Sequence, residues 1–107
     1  MKFEESYALI KEKYDEMDMT NVDKDFSAII CLTGKNPGYV YVAYQGKKKI
    51  IEPIKRDKAN IFVTMSDATF EDLIYKRIAP FKAFTTGKVQ AKGNVFLALS
   101  LYKKIKK

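Results

Sequence analysis

The segment VFLALSL, residues 95–101, constrains the fold more than any other, because six of its seven residues are apolar. It follows Gly93 and Asn94, and asparagine is a residue type that caps the N-terminus of a helix. A surface helix needs one apolar stripe, whereas a helix over this segment is apolar almost all round. Its surplus apolar surface must therefore contact a deeper core, a bound ligand, a partner chain or a membrane.

The hydrophobic pattern of the whole chain predicts an α+β fold. Apolar residues from Phe3 to Met17 recur every three or four positions, which indicates an amphipathic helix. The pattern then predicts three strands, a fourth strand, a helix capped by Asp67, a short helix begun by Pro80, a strand over KVQAK and the last helix. We expect one domain over residues 1–107, with a single five-stranded, mostly antiparallel sheet and helices packed on one face.

The amino-acid composition excludes several kinds of active site. The chain contains no histidine, which removes the commonest general base and the commonest metal ligand. Its single cysteine, Cys31, excludes an internal disulfide and a thiol-rich metal site, and its apolar surroundings predict a buried, inert thiol. The acidic residues cluster in the N-terminal helix and do not pair near a polar cleft. We therefore predict no enzyme, no catalytic residue, no metal and no cofactor.

The charges are distributed unevenly along the chain. The net charge is +7, yet residues 1–25 carry eight acidic and four basic residues. After Asp72 there are nine basic residues and no acidic one. This pattern is typical of a protein with an anionic partner, such as lipid headgroups, phosphorylated ligands or nucleic acid, although surface lysines also serve solubility alone.

The stretch FTTGKVQAKGN does not have the spacing of a phosphate-binding loop. Such a loop needs an earlier glycine and a hydroxyl residue after the lysine, but Val89 follows Gly87 and Lys88. A weak nucleic-acid binder is an alternative, because Tyr39, Tyr41 and Tyr44 alternate in a strand near basic residues and could stack on bases. The same alternation also fits ordinary packing, and the lysines form no single stripe, so we do not favour nucleic acid as a partner.

The C-terminal half carries a series of specific motifs. Over about forty residues these are Thr64-Met65-Ser66-Asp67 at the end of a strand, Phe70 in a helix, Pro80 opening a short helix, Phe84 and Gly87-Lys88 before a strand, and Gly93-Asn94 before the last helix. In order and approximate spacing this half resembles the sterol carrier protein type 2 domain family. The N-terminal helix and first three strands match the layout of that family less distinctively.

The resemblance implies a five-stranded sheet covered by helices, with an apolar tunnel between them for fatty acyl chains, acyl-CoA or sterols. The predicted function is therefore non-covalent lipid binding, possible transfer included. The candidate pocket residues are Phe70, Leu73, Ile74, Phe81, Phe84, Phe96, Leu99 and Leu101. At each position, ordinary core packing is the alternative. The resemblance leaves open whether the pocket is a closed tunnel, an open groove or closed by a second subunit, since transport members of the family continue with a further tail.

The basic C-terminal end suggests further partners. Lys103, Lys104, Lys106 and Lys107 follow the apolar helix and suit transient contact with an anionic membrane or with an acyl-CoA phosphate, or they complement the helix dipole. The apolar helix could instead form a protein-interaction module or a homodimer. The charged N-terminal segment and the absence of a peroxisomal C-terminal tripeptide predict a cytoplasmic location.

Overall fold

The computed structural model describes residues 1–105 and contains the helices and strands in the predicted order. The helices are α1 (Phe3–Glu16), α2 (Asp67–Ile74), α3 (Pro80–Thr85) and α4 (Val95–Lys103), and the strands are β1 (Phe26–Thr33), β2 (Gly38–Gln45), β3 (Lys48–Glu52), β4 (Ile61–Ser66) and β5 (Val89–Gly93). Lys106 and Lys107 lie outside the described residues, so the predicted contribution of these two lysines stays an expectation.

The five strands form one sheet in the order β3-β2-β1-β4-β5. Three of the four strand pairings are antiparallel, whereas β1 and β4 run parallel, with Ala28 opposite Ile61. The chain reaches β4 by crossing from the β3 edge past β2 and β1, and such a crossover produces parallel neighbours. The predicted fold class, a mostly antiparallel five-stranded sheet, is confirmed, and the sheet is mixed.

The helices lie on one face of the sheet, as predicted. Strand residues alternate between the two faces, so Val40 and Val42 join α1 residues Ile10 and Tyr14 in the main core. The opposite face carries a smaller cluster of Ile29, Tyr41 and Ala43.

The β3–β4 connection covers part of that helix-free face. Lys55 lies 5.4 Å from the ring centre of Tyr39, and Arg56 lies 4.9 Å from that of Tyr41. The basic loop therefore shields tyrosines that no helix covers.

Capping residues fix the first residues of α2 and α4. The Asn94 side chain accepts a hydrogen bond from the Leu97 N–H at 3.1 Å, which confirms Asn94 as the cap of α4. For α2 the predicted cap was wrong by one residue: the Ser66 hydroxyl accepts the Thr69 N–H at 3.0 Å. Asp67 instead accepts hydrogen bonds from the Asn36 side chain and backbone, and so ties the β1–β2 loop to α2.

Candidate functional site

A cavity of about 460 Å³ lies between the helix-bearing face of the sheet and the four helices. Its walls come from all four helices and from every strand except β3, and almost every lining group is apolar. The eight pocket residues proposed from the sequence all line this one cavity: Phe70, Leu73, Ile74, Phe81, Phe84, Phe96, Leu99 and Leu101. The structure thus brings together side chains from α2, α3 and α4.

These eight residues differ in how far they are buried. Phe70, Leu73 and Ile74 of α2 are buried and form part of the core as well as the cavity wall. Phe81 and Phe96, by contrast, are 74% and 81% exposed although they also line the cavity. A side chain that lines a cavity and also faces solvent lies at its rim, so α3 and α4 form the mouth.

Helix α4 is not held in a deeper core. None of its residues is buried, and Leu99 and Leu101 are only half-buried. Leu97, Ala98 and Leu101 pack against the main core, and the remaining apolar surface of VFLALSL faces the cavity or solvent.

Polar groups are scarce in the lining. The Tyr14 hydroxyl donates to the Ala43 carbonyl oxygen, and the Tyr102 hydroxyl donates to the Leu73 carbonyl oxygen at 2.8 Å. Burial raises the pKa of both tyrosines, and in Tyr14 the neighbouring Tyr44 and Asp15 add to the increase. Both hydroxyls therefore stay protonated and use their hydrogens within the protein. Lys13, half-buried on α1, is the one charged residue that the structure places along this lining.

Several lining residues were not among the predicted pocket residues. Examples are Ile10 and Tyr14 of α1, Met65 of β4 and Val89 of β5. Each strand residue in the lining lies on the helix-bearing face, for example Ile30, Val63 and Met65. Strand alternation combined with the position of α1 could have identified them.

Other kinds of site find little support in the part of the chain that the structure describes. Tyr39 and Tyr41 are on the helix-free face, whereas Tyr44 is in the main core, so the three tyrosines do not form one stacking surface. Within residues 1–105, no three acidic or thiol side chains are grouped in a way that could hold a metal ion. Over the same residues, the helices are all too short or too polar to cross a bilayer.

The fold is similar to that of solved sterol carrier protein structures. Sterol carrier protein 2 like 2 from Aedes aegypti is 18% identical and has a TM-score of 0.67 over 92% of this chain and 94% of that chain. The solution structure of sterol carrier protein 2 from Aedes aegypti in complex with palmitate is 18% identical, with a TM-score of 0.64 over 94% of this chain and 93% of that chain. At these identities the likeness concerns the fold.

The fold also occurs as a small part of an enzyme. A stereoselective inverting sec-alkylsulfatase from Pseudomonas sp. is 12% identical with a TM-score of 0.71, and the match covers 85% of this chain but 14% of the sulfatase. No curated protein sequence matches the chain. A model of the SCP-2 sterol transfer family, however, matches residues 8–106. Because this match spans nearly the whole sequence, the chain belongs to the SCP-2 sterol transfer family.

Proposed function

We propose that the protein binds a lipid or another apolar ligand non-covalently in the cavity between sheet and helices, without catalysing a reaction. The single observation that carries the proposal is the apolar cavity of about 460 Å³, a size within the usual range of small-molecule pockets. The palmitate complex of the Aedes aegypti protein, which has the same fold, supports it. Each methylene group transferred from water into such a lining contributes about 0.8 kcal/mol.

We further propose that the ligand is a single acyl chain with an anionic head, as in a fatty acid or acyl-CoA. The lining tyrosines already donate their hydroxyl hydrogens to Ala43 and Leu73, so they offer a ligand headgroup no donor. Lys13 of α1 is the positively charged residue that the structure places along this lining. The headgroup would therefore lie beside Lys13, with the chain running along α2 and α4.

The test compares two ligands that differ only in their heads. Purified protein would be titrated with palmitate and with hexadecanol, and an organic extract of the protein would be examined by mass spectrometry for bound lipid. We expect both ligands to bind, palmitate more tightly. If no lipid is extracted and neither ligand binds, the proposed function is wrong.

A pair of lysine variants on the same helix tests the orientation. Lys13→Met should weaken palmitate binding about tenfold, because a hydrogen bond to a charged group is lost, and leave hexadecanol binding unchanged. Lys11→Met is the matched control, since Lys11 is exposed and pairs with Asp15 at 3.4 Å. An equal loss for both ligands would assign Lys13 a packing role instead.

A homodimer that uses the apolar C-terminal helix is a second candidate. The observation that favours it is the 81% exposure of Phe96, because a large exposed aromatic residue is typical of an interface. A second copy could cover the mouth formed by α3 and α4. Sedimentation velocity over a range of protein concentrations tests it, and a monomer at all concentrations would exclude it.

A further inference from the structure

We propose that the mouth of the cavity is a docking surface for an anionic lipid bilayer, with Phe81, Phe84 and Phe96 as the inserted residues. This inference rests on the proposed lipid binding, since it assigns the route by which ligand enters. The three phenylalanines line one cavity and are 74%, 49% and 81% exposed. Phenylalanine at such exposure is unfavourable in water, and three at one opening form an apolar patch.

The charge around the patch identifies the partner. Helices α3 and α4, which form the mouth, contain no acidic residue, and the segment from residue 73 to residue 105 that includes them contains seven basic residues and no acidic one. Two of these already interact with the protein: Arg77 pairs with Asp72 at 3.0 Å, and Lys76 lies 4.3 Å from the ring centre of Tyr102. Exposed lysines such as Lys82, which directly follows Phe81 in α3, supply positive charge beside the patch. Positive charge around exposed aromatic residues matches the surface of an anionic bilayer.

The same charges disfavour a second copy of the chain as the occupant. In a two-fold symmetric dimer each patch would face itself. The lysines of one mouth would then lie against those of the other, and like charges across an interface oppose association. Eight of the thirteen acidic residues of the chain are in residues 1–25, and α3 and α4 themselves contain none.

The absence of tryptophan from the chain allows a direct test of insertion. Phe96→Trp places a single fluorophore in the patch, and Phe62→Trp places one on the helix-free face, where Phe62 is 38% exposed. The vesicles would contain phosphatidylcholine with brominated acyl chains and phosphatidylserine. Excess palmitate would be added to occupy the cavity, so that quenching reports insertion into the bilayer and not uptake of a brominated chain.

We expect brominated vesicles to quench Phe96→Trp and to leave Phe62→Trp unchanged. Equal quenching of both, or quenching of neither, would overturn the proposal. Vesicles without phosphatidylserine should bind the protein weakly, and binding should weaken as salt is added.

A charge reversal on the proposed surface provides the second measurement. Lys82→Glu should reduce co-sedimentation with phosphatidylserine vesicles by about tenfold or more. Lys48→Glu is the matched control, because Lys48 is exposed on β3, at the opposite edge of the sheet from β5. Equal reductions in both variants would mean that only the net charge matters, and the proposed surface would be wrong.

The outcomes separate this inference from the proposed function. Palmitate binding without vesicle binding would overturn the docking surface and leave lipid binding intact. Vesicle binding without palmitate binding would do the reverse. A dimer that is lost in Phe96→Ser, together with no vesicle binding, would assign the patch to a second copy and overturn the bilayer proposal.

Discussion

Phe70 and Phe96 have the same side chain, yet one is 6% exposed and the other 81% exposed. Both line the cavity, but only Phe70 also belongs to the main core. A buried phenylalanine contributes to stability through packing, whereas an exposed one contributes little. The residues that line the cavity thus divide into buried ones that stabilise the fold and exposed ones that contribute little to stability.

This difference in burial predicts losses of stability of very different size for two alanine variants. Phe70→Ala should lower the free energy of unfolding by about 3–5 kcal/mol, because it leaves a cavity in the core. Phe96→Ala should change it by less than about 0.5 kcal/mol, as is usual for surface positions. Urea denaturation followed by circular dichroism measures both. A large loss in Phe96→Ala would show that α4 depends on this ring for its packing.

The ionisation of a single residue, Asp67, makes the stability of the folded protein depend on pH. The Asn36 side-chain amide donates to its carboxylate at 2.9 Å, and this bond, with the N–H groups of Ala68 and Asn36, holds the pKa of Asp67 below its usual value. Since the unfolded state has the higher pKa, of about 3.9, the stabilisation is present above that pH. It is lost as the pH falls through the lower folded pKa.

Asn36→Ala should therefore destabilise the protein more at pH 6 than at pH 2. The measurement is the free energy of unfolding by urea at a series of pH values for both proteins. Lys35→Ala, an exposed neighbour in the same loop, serves as the control and should show no such dependence. If Asn36→Ala has the same effect at all pH values, the carboxylate is not responsible.

At the scale of elements, the turn from β5 into α4 sets the position of the mouth. Gly93 has φ +88°, and a Cβ atom there would lie 1.9 Å from the Asn60 carbonyl oxygen. The Asn94 N–H donates to that same oxygen at 3.1 Å. Glycine at this position lets β5 end against the start of β4, and α4 begins at once over the cavity.

Two glycine variants separate conformational strain from steric clash. Gly87→Ala should cost about 1–2 kcal/mol, because Gly87 has φ +79° but open space around it. Gly93→Ala should cost more, since the added methyl group also collides with backbone. The two losses would be compared from the urea denaturation midpoints, provided that the dependence of the unfolding free energy on urea concentration is the same in both variants. Equal losses would mean that the Asn60 carbonyl moves aside freely.

Much of the fold was predictable because the signals were local. Alternation and turn residues gave the strands, and Asn94 gave the start of α4. The parallel pairing of β1 with β4 was not predictable from periodicity, since it depends on where the β3–β4 crossover places β4. The Ser66 cap was missed because Ser66 and Asp67 are equally suited to cap a helix. Ser66 is the cap because the Asp67 carboxylate accepts hydrogen bonds from Asn36, a residue distant in the sequence.

The site was predictable only in part, for a related reason. Residues such as Phe81 and Phe96 stood out because their helices contain more apolar surface than packing requires. Lys13 and Tyr14 did not, because the contribution of α1 depends on which strands it covers. A pocket between elements is a property of their arrangement, and a sequence pattern reports each element by itself.

At the scale of the whole molecule, the sheet and its helices enclose a space that protein atoms do not fill. Interiors are normally close-packed, so a cavity of about 460 Å³ is destabilising when empty. A ligand that fills it should restore those contacts. The proposed ligand binding should therefore raise the stability of the whole domain.

Palmitate should raise the thermal midpoint of unfolding substantially. A free ligand concentration one hundred times the Kd adds about 2.7 kcal/mol, which corresponds to about 10–20 °C for a domain of this size. Hexanoate is the control, since its short chain fills little of the cavity. Differential scanning calorimetry measures the shift, and equal midpoints with both acids would contradict the coupling.

The two edge strands have a consequence for the behaviour of the protein in concentrated solution. An open sheet can recruit further strands from neighbouring chains and grow into fibrils. Here β3 carries Lys48 and Lys49 and β5 carries Lys92, so the edge strands of two chains would repel each other electrostatically. Each edge strand is also only five residues long. These short, charged edge strands therefore disfavour pairing between chains, so the apolar mouth can be exposed without the sheet promoting fibril growth.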